Sequence, residues 1–417
     1  MPTDFQANLQ KYADLTVKVG LNLQPGQRLF LGYNTPLEAA PLVRAITASA
    51  YQAGALLVEV LWRDEELLRL QFKHGPRESF AEFPRWRAAA GLEFAERGDA
   101  RLQIGGEDPD LFQGQDPELV STLQRTTLAA LRPVSEYIMR SAQNWCVVAV
   151  PGQAWAAKVF PHLPPAEQVA RLWDVIFDIC RVNTPDPVAA WQTHIAHLQA
   201  RSQYLNDQRY TALKFQGPGT DLTVGLPDGH LWNSAQAVAT NGITFTPNIP
   251  TEEVFSLPHR ARVDGVVTAT MPLSYAGALI EDIRLVFKEG QVVEASASSG
   301  EAILREVIAA DEGAARLGEV ALVPHSSPIA RQGRLFYRTL FDENAASHIA
   351  LGGAYKLSLS GGHALSDEDF VAAGGNRSVV HLDFMIGSSQ MDVEGVRADG
   401  GSQAVMRAGE WASKARK

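Results

Sequence analysis

The segment at residues 378–388, SVVHLDFMIGS, combines an imidazole and a carboxylate within a run of apolar residues. Side chains alternate between the two faces of a strand, so His381 and Asp383 share one face while Leu382 and Phe384 share the other. Burying such a polar pair without a partner is costly, and a cation that both could bind would compensate the cost. The pattern therefore indicates either a metal site or a surface-facing His–Asp hydrogen bond on a one-sided sheet.

A second polar cluster, FDENAASHIALGGAYK at residues 341–356, places Glu343 five residues before His348. Small residues separate the two, and small side chains let backbone and ligands approach closely. Tyr355 follows, and its hydroxyl could donate a hydrogen bond to a developing oxyanion. The alternative is an ordinary acidic loop before a buried strand, with Tyr355 in the core.

A third cluster, TPNIPTEEVFSLPHR, contains the adjacent acids Glu252 and Glu253. The prolines Pro247 and Pro250 favour an extended chain in front of them. Two adjacent acids between apolar residues cannot both face a core, so we expect at most one to point inward. Glu253 is then a candidate metal ligand, although both acids could instead belong to a solvated turn.

A fourth acid, Glu319, lies in the string RLGEVALVP. We expect it to open a strand directly after Gly318 ends a helix, where it could reach a central ion or face water. Together these carboxylates and imidazoles are the ligand types of Zn, Mn or Co sites. Their number exceeds the needs of one four-coordinate catalytic ion. Two ions about 3.5–4 Å apart, bridged by a carboxylate, fit it better.

The composition restricts the class of protein. The 417 residues include 37 basic and 47 acidic side chains, a net charge of −10, which argues against a nucleic-acid binder. The sequence shows neither a signal peptide nor an apolar run of about 20 residues, so we expect a cytoplasmic protein without membrane contact. Cys146 and Cys180 lie among apolar neighbours, and we expect buried thiols rather than a disulfide framework.

The elements that must position these side chains differ between the two halves of the chain. In the first half, strands RLFLGY, LLVEVLW and WCVVAVP alternate with helical patterns at residues 4–20, 36–54, 116–140 and 165–182. Such alternation predicts an α/β domain with a mostly parallel sheet. Neither GxGxxG nor GxxxxGK[ST] follows any of these strands, so the sequence gives no sign of a nucleotide site.

A polar-faced helix over 186–207 is predicted to connect the halves, after which short strands and Gly-rich turns dominate. Glu289-Gly290 between two apolar runs predicts a hairpin, and one helix is expected from about Gly300 to Leu317. We therefore expect an N-terminal α/β domain over 1–207. Residues 208–417 should form an α+β domain that is rich in antiparallel strands.

The motifs also resemble a known family. The strings NGITFTPNIPTEEVFSLPHR, DEGAARLGEVALVP, LFDENAASHIALGGAY and HLDFMIGS are similar to those of the aminopeptidase T family, the thermophilic-type metalloaminopeptidases that include aminopeptidase S. The matches run in family order from about residue 218 to 412. The first half is similar in length and in its start, YADLTVKVGLNLQPGQ, but its motifs are looser.

The resemblance implies a metal-dependent aminopeptidase that hydrolyses the N-terminal bond of peptides with a free N-terminus, and typically a homodimer. It implies that the C-terminal domain, residues 208–417, is catalytic and holds two divalent ions per chain, of Zn, Co, Mn or Mg, together with a metal-activated water. Tyr355 and the bridging acid Glu319 would assist catalysis, and no function is carried onto His363. By motif position the metal ligands would be Glu253, Glu319, Glu343, His348, His381 and Asp383.

Two other functions remain open from the sequence. The same residues could serve a metal-dependent hydrolase of another amide or an ester, or they could hold a purely structural ion in a protein without activity. Free-amine and N-acetylated substrates separate the first possibility, because an aminopeptidase must reject blocked N-termini. Metal removal separates the second, because a structural ion maintains the fold itself.

Overall fold

The computed structural model describes residues 3–275 and 277–412. The chain divides into two compact units, each built from two stretches of sequence. The first unit comprises Met1–Thr193 and Gln236–Pro250, and the second comprises His194–Ala235 and Thr251–Lys417. The predicted domain boundary between residues 207 and 208 stays a prediction.

The first unit contains a four-stranded parallel sheet in the order β2-β1-β3-β4. Its strands are β1 (Arg28–Pro36), β2 (Leu57–Arg63), β3 (Ala100–Gly105) and β4 (Trp145–Ala149). This sheet confirms the α/β architecture predicted for the first half. Strand β3 was not predicted, although it lies between β1 and β4 in the middle of the sheet.

Helices alternate with these strands. They are α1 (Thr3–Leu15), α2 (Ala40–Gln52), α3 (Glu65–His74), α4 (Arg85–Glu96), α5 (Pro117–Met139), α6 (Gln153–Val159) and α7 (Pro165–Ile179). The predicted connector is α8 (Pro187–Gln208). Cys146 and Cys180 are buried free thiols, as expected. Among the described residues, every helix is too short or too polar to cross a membrane.

The second unit is rich in antiparallel strands, as predicted. One sheet has eight strands in the order β14-β13-β10-β6-β5-β18-β19-β20, and another has four in the order β17-β16-β15-β9. The strands of the larger sheet are β5 (Ala212–Gly217), β6 (Thr220–Gly225), β10 (Val263–Thr268), β13 (Arg284–Lys288), β14 (Gln291–Ser296), β18 (Asp392–Val396), β19 (Ser402–Arg407) and β20 (Glu410–Trp411).

The four-stranded sheet carries most of the predicted site. Its strands are β9 (Val254–Ser256), β15 (Leu317–Leu322), β16 (His348–Gly352) and β17 (His381–Met385). Two-stranded pairs complete the strand list with β7 (Ala237–Val238) and β8 (Thr244–Phe245) in the first unit, and β11 (Leu273–Tyr275) and β12 (Ala278–Ile280) in the second. The remaining helices are α9 (Glu301–Ile308), α10 (Thr339–Asp342) and α11 (Asp367–Ala372).

The predicted hairpin at Glu289-Gly290 is confirmed between β13 and β14. Both turn residues have positive φ, 51° and 77°, as a two-residue hairpin turn of type I′ requires. The predicted helix from Gly300 to Leu317 is shorter in the structure. It is α9, which ends at Ile308, nine residues before the predicted end. The carboxylate of Asp311 accepts a hydrogen bond from the N–H of Ala314 and forms a turn there.

The early end of α9 changes the setting of Glu319. Strand β15 already begins at Leu317, so Glu319 is its third residue and not the opening one. All six residues of β15 are buried. The sequence interpretation that Glu319 could face water at a strand end is therefore wrong.

Candidate metal centre

The register of the four-stranded sheet brings the predicted ligands to one face. Glu319 on β15 pairs with Ala350 on β16, which in turn pairs with Asp383 on β17. Directly paired residues of antiparallel strands point to the same face, and so do residues two apart along a strand. His348 and His381, each two residues from a member of this row, therefore lie on that face as well.

Glu253 reaches the same face from the edge of the sheet. Ala321, two residues after Glu319, pairs with Phe255 on β9, and Glu253 precedes Phe255 by two residues. Two small residues, Ala321 and Ala350, share this face with the polar side chains, and both are fully buried. These alanines leave space above the sheet for the longer acidic and imidazole side chains.

The five side chains form a continuous polar chain. Glu253 Oε2 lies 3.1 Å from His348 Nε2, and this nitrogen lies 3.7 Å from Glu319 Oε1. The other oxygen of Glu319, Oε2, lies 3.8 Å from His381 Nε2, which lies 3.4 Å from Asp383 Oδ1. One carboxylate thus stands between two imidazoles and offers a different oxygen to each.

The remaining two predicted residues also lie at this cluster. Glu343, next to α10, lines a small cavity together with Asp383. The Tyr355 ring centroid is 5.1 Å from that of His381. Tyr355 is 42% exposed, so the interpretation that it belongs to the core is wrong. The structure therefore brings together all seven residues that the sequence singled out.

Both imidazoles are oriented by the backbone. His348 Nδ1 lies 3.1 Å from the carbonyl oxygen of Ala346, and His381 Nδ1 lies 2.9 Å from that of Gly353. A carbonyl only accepts, so each Nδ1 carries a proton and Nε2 is the nitrogen that faces the carboxylates; when Nε2 loses its own proton, its lone pair points into the cluster. This is the tautomer in which a histidine binds a metal ion through Nε2.

Without a cation, the site holds strongly interacting charges. Burial, together with the negative charge of Glu253 and Asp383, raises the pKa of Glu343 well above its usual value. Burial also raises the pKa of Glu319. Burial opposes protonation of His381, but Asp383 outweighs it and raises the pKa of His381 to about 10.

The donor set fits a hard or borderline divalent cation. Glu253, Glu319 and His348 each offer an atom within 4.8 Å of the others, and all three are buried. Glu253 Oε2 accepts no hydrogen bond from the described residues despite being buried. A buried carboxylate oxygen in this condition requires a partner, and carboxylates with imidazoles are common ligands of zinc and related ions.

One expectation about the adjacent acids Glu252 and Glu253 is wrong. Glu252 and Glu253 are both buried, at 4% and 9% exposure, although at most one was expected to point inward. Both sides of the extended segment lie inside the second unit. The Glu252 carboxylate is 3.6 Å from His194 Nε2 on α8, while Glu253 faces His348.

Comparisons with known proteins agree with this geometry. Residues 5–411 match the family described as thermophilic metalloprotease (M29). The chain belongs to this family. It is therefore a metal-dependent hydrolase of peptide bonds, and the predicted resemblance to the aminopeptidase T family is confirmed.

Relatives in the family match almost the whole chain. Aminopeptidase 2 of Geobacillus stearothermophilus is 47% identical over 98% of both chains. Aminopeptidase T of Thermus thermophilus is 46% identical over 98% of this chain and 99% of its own. The solved structure of wild-type AmpT from Thermus thermophilus superposes with a TM-score of 0.92, at 45% identity, over 98% of this chain and 100% of the other.

The sequence interpretation missed residues that hold the ligands in place. Asn344 and His194 both contact the segment that carries Glu253, through Glu252 and Thr251 respectively. Asn344 stood in the sequence beside Glu343 and was treated only as one of several small residues. Its signal was an amide directly next to a candidate ligand. For His194, which lies in a polar-faced helix, the sequence offered no such signal.

Proposed function

We propose that the chain is an aminopeptidase that hydrolyses the N-terminal peptide bond of peptides and uses two divalent metal ions. The names of its relatives support the aminopeptidase activity. The placement of Glu319 supports the second ion, because its two oxygens face His348 and His381 separately. A carboxylate in that position is suited to bridging two cations.

The charge of the site also supports two ions. Glu253, Glu319, Glu343 and Asp383 carry four negative charges when ionised, and all four side chains lie in or against the protein interior. Two divalent cations would balance these charges and remove the repulsion between the carboxylates. Glu253 and His348 would hold one ion, His381 and Asp383 the other, with Glu319 shared between them and Glu343 beside the pair.

When bound, such ions polarise the scissile carbonyl and lower the pKa of a coordinated water from 15.7 toward about 7. The chain supplies the other parts of the reaction. Desolvation around its hydroxyl, followed by the charge of Glu319, raises the pKa of Tyr355 although part of the side chain is exposed. The hydroxyl therefore keeps its proton and can donate to the developing oxyanion. Glu319 and Glu253 are the candidates to accept the proton of the attacking water.

Substrate selection at the N-terminus follows from the same groups. A free α-amine could bind one of the ions or donate hydrogen bonds to a carboxylate of the site. Replacing the amine with an acetamide would remove its basicity and add bulk at that point. The proposed enzyme should therefore reject N-acetylated peptides.

Further proposals concern the oligomeric state, the identity of the ions, the cellular compartment and the catalytic domain. The family resemblance supports a homodimer and the choice of Zn, Co, Mn or Mg as the ion. The two cysteines are free thiols, which suits the reducing cytoplasm. We also propose that residues 208–417 act as the catalytic domain, since every proposed ligand lies in that range.

The deciding experiment combines metal analysis with a substrate comparison. Mass spectrometry of the metal-saturated protein should give two ions per chain, and an aminoacyl substrate should be cleaved while its N-acetylated form is not. Glu319→Gln removes the charge that both ions would share, so it should lower the ion count and abolish cleavage. Glu312→Gln, at a largely exposed side chain, is the matched control. One ion per chain would refute the two-metal proposal, and cleavage of the blocked substrate would refute the aminopeptidase.

A further inference from the structure

Asn344 connects two of the proposed ligand segments through one side chain. Its Oδ1 accepts a hydrogen bond from the backbone N–H of Glu252 at 2.7 Å. Its Nδ2 lies 3.4 Å from Glu343 Oε1 and donates to the carbonyl oxygen of Leu340 at 3.1 Å. Asn344 is fully buried, so these contacts are formed away from solvent.

The peptide unit that Asn344 contacts is held at both of its polar atoms. The N–H of Glu252 and the carbonyl oxygen of Thr251 belong to the same peptide group. Asn344 binds the N–H, and His194 Nε2 lies 2.8 Å from the carbonyl oxygen. On its other side, Glu253 is followed directly by β9, which pairs with β15. Glu253 is thus fixed between a clamped peptide and a sheet strand.

Asn344 itself is fixed in the same way. It lies in the short turn Glu343–Ala345, just after α10, and its carbonyl oxygen accepts a hydrogen bond from Ser327 Oγ at 3.1 Å. Nδ2 also caps α10 through Leu340. The amide plane therefore has little freedom, and its orientation relative to Glu343 and Glu252 is set by the fold.

Few other side chains could make these contacts. An aspartate would keep the acceptor for the Glu252 N–H, but it would lose both donors and place another carboxylate against Glu343. An alanine would leave the N–H of Glu252 without its partner in a buried place, where water does not replace it. An asparagine supplies an acceptor and a donor together and adds no charge.

We infer that Asn344 is a positioning residue of the metal centre, which holds Glu253 and Glu343 in one arrangement by binding the Thr251–Glu252 peptide and the Glu343 carboxylate. This inference rests on the proposed function, because the two acids matter through the ions they would hold. Residues that orient ligands in this manner typically contribute about 10–100-fold to metal affinity or activity.

The competing explanation is that Asn344 only stabilises the fold, as the cap of α10. The chain offers a matched control in Asn144 of the first unit, which is also fully buried. Its Nδ2 donates to the carbonyl oxygen of Leu21 at 2.7 Å, and its Oδ1 accepts from Gln27 Nε2 at 2.9 Å. Asn144→Ala therefore makes the same chemical change in the other unit, where none of the proposed ligands lies.

The test is a titration of the metal-free, full-length protein with Co²⁺, followed by its visible absorption, together with the thermal unfolding temperature. Asn344→Ala should bind Co²⁺ at least tenfold more weakly and with an altered spectrum. Asn144→Ala should lower the unfolding temperature and leave both the affinity and the spectrum unchanged. Unchanged Co²⁺ binding by Asn344→Ala would overturn the inference.

A second variant covers the case in which Asn344→Ala does not fold. Ser327→Ala removes the hydroxyl that donates to the Asn344 carbonyl oxygen and leaves every proposed ligand in place. The affinity for Co²⁺ should fall about fivefold, which is the effect of one ordinary hydrogen bond. An unchanged affinity would overturn the inference here too. If the unaltered protein itself failed to bind Co²⁺, the proposed metal centre would be refuted, and the role of Asn344 with it. If the unaltered protein bound Co²⁺ and the variants bound it equally well, only the role of Asn344 would be refuted.

Discussion

At the scale of single residues, Tyr355 is the proposed catalytic group whose role can be separated from metal binding. Tyr355→Phe should lower kcat about 100-fold, because removing one donor to an oxyanion typically has an effect of this size. The metal content should not change, since the hydroxyl is proposed to bind substrate rather than the ions. Steady-state kinetics and metal analysis of the same sample provide the measurement.

The control for this substitution lies in the same unit. Tyr204 also uses its hydroxyl in a hydrogen bond, with Gln403 Nε2 at 3.0 Å, but it takes no part in the proposed site. Tyr204→Phe should leave kcat unchanged. Loss of metal from Tyr355→Phe would show that the tyrosine holds the centre together, and its proposed role would then be wrong.

The identities of the candidate ligands were the most predictable feature at this scale. His381 and Asp383 stood out because polar side chains on one face of an apolar strand require a reason. The burial of Glu252 was not predictable, because it depends on His194, which is 58 residues away in the sequence. Local patterns show which residues are unusual, but they do not show which distant residue faces them.

At the scale of elements, the spacing of the strands should limit the size of residue 350. Ala350 lies between Glu319 and Asp383 in the register, with its side chain on the face of the site. Ala350→Leu would fill the space between the two carboxylates. We expect metal binding to fall at least tenfold and stability to fall by about 1–3 kcal/mol from overpacking.

A change on the opposite face of the same strand provides the comparison. Leu351→Met roughly conserves the volume of a buried side chain and should cost less than about 1.5 kcal/mol. Its metal affinity should match that of the unaltered protein. If Ala350→Leu bound Co²⁺ as tightly as the unaltered protein, the small size of residue 350 would not be needed for the site.

The approach to β17 depends on Asp311. Its carboxylate accepts hydrogen bonds from the N–H of Val379 at 2.7 Å and from Ser378 Oγ at 2.9 Å. Burial would raise the pKa of Asp311, but these donors outweigh it and lower the pKa below its usual value. The ionised form is therefore favoured in the folded protein.

The pH dependence follows from this direction. A pKa that is lower in the folded state contributes stability above the unfolded value of about 3.9, and the contribution is lost as pH falls through the folded pKa. Asp311→Asn should therefore reduce the free energy of unfolding by about 1–3 kcal/mol at pH 7. The difference should shrink as the pH falls below about 4. Denaturant titrations at several pH values measure it, and a pH-independent difference would contradict the assignment.

The elements themselves were predicted unevenly. The hairpin turn at Glu289-Gly290 and the long helices carry local signals that their surroundings do not override. Strand β3 was missed because only three of its six residues are buried, in alternation with polar ones, and it lacks the continuous apolar run of β4. The error at α9 has a similar cause. Ala309 to Leu317 suit a helix locally, but the Asp311 turn and its bonds to residues 378–379 end it.

At the scale of the whole molecule, the site is a product of sheet register. The proposed ligands come from residues 253 to 383, and no single segment contains them all. Their convergence requires four strands in one order, β17-β16-β15-β9, which the sequence did not reveal. The family resemblance supplied the candidate ligand set. The physical reason for its convergence, one face of a sheet on which small alanines leave room for the longer side chains, is visible only in the fold.

Metal removal should therefore affect the two units differently. An ion that binds only the folded state stabilises it by about 2.7 kcal/mol when present at 100 times its dissociation constant. All proposed ligands belong to the second unit, so the stabilisation should be confined to the part that unfolds with β15, β16 and β17. Hydrogen exchange measured by mass spectrometry reports each segment separately.

After chelation, amide exchange in β15 and β16, which are completely buried, should become about 100-fold faster for each ion removed, the factor that corresponds to about 2.7 kcal/mol. Exchange in β1 and β3 of the first unit should stay the same. Adding back Co²⁺ or Zn²⁺ should restore the slow exchange, whereas Mg²⁺ added to a Glu319→Gln variant should not. Equally accelerated amide exchange in β1 and β15 would mean that the ions stabilise the chain as one cooperative body. Unchanged exchange in both strands would mean that these carboxylates and imidazoles bind no ion tightly.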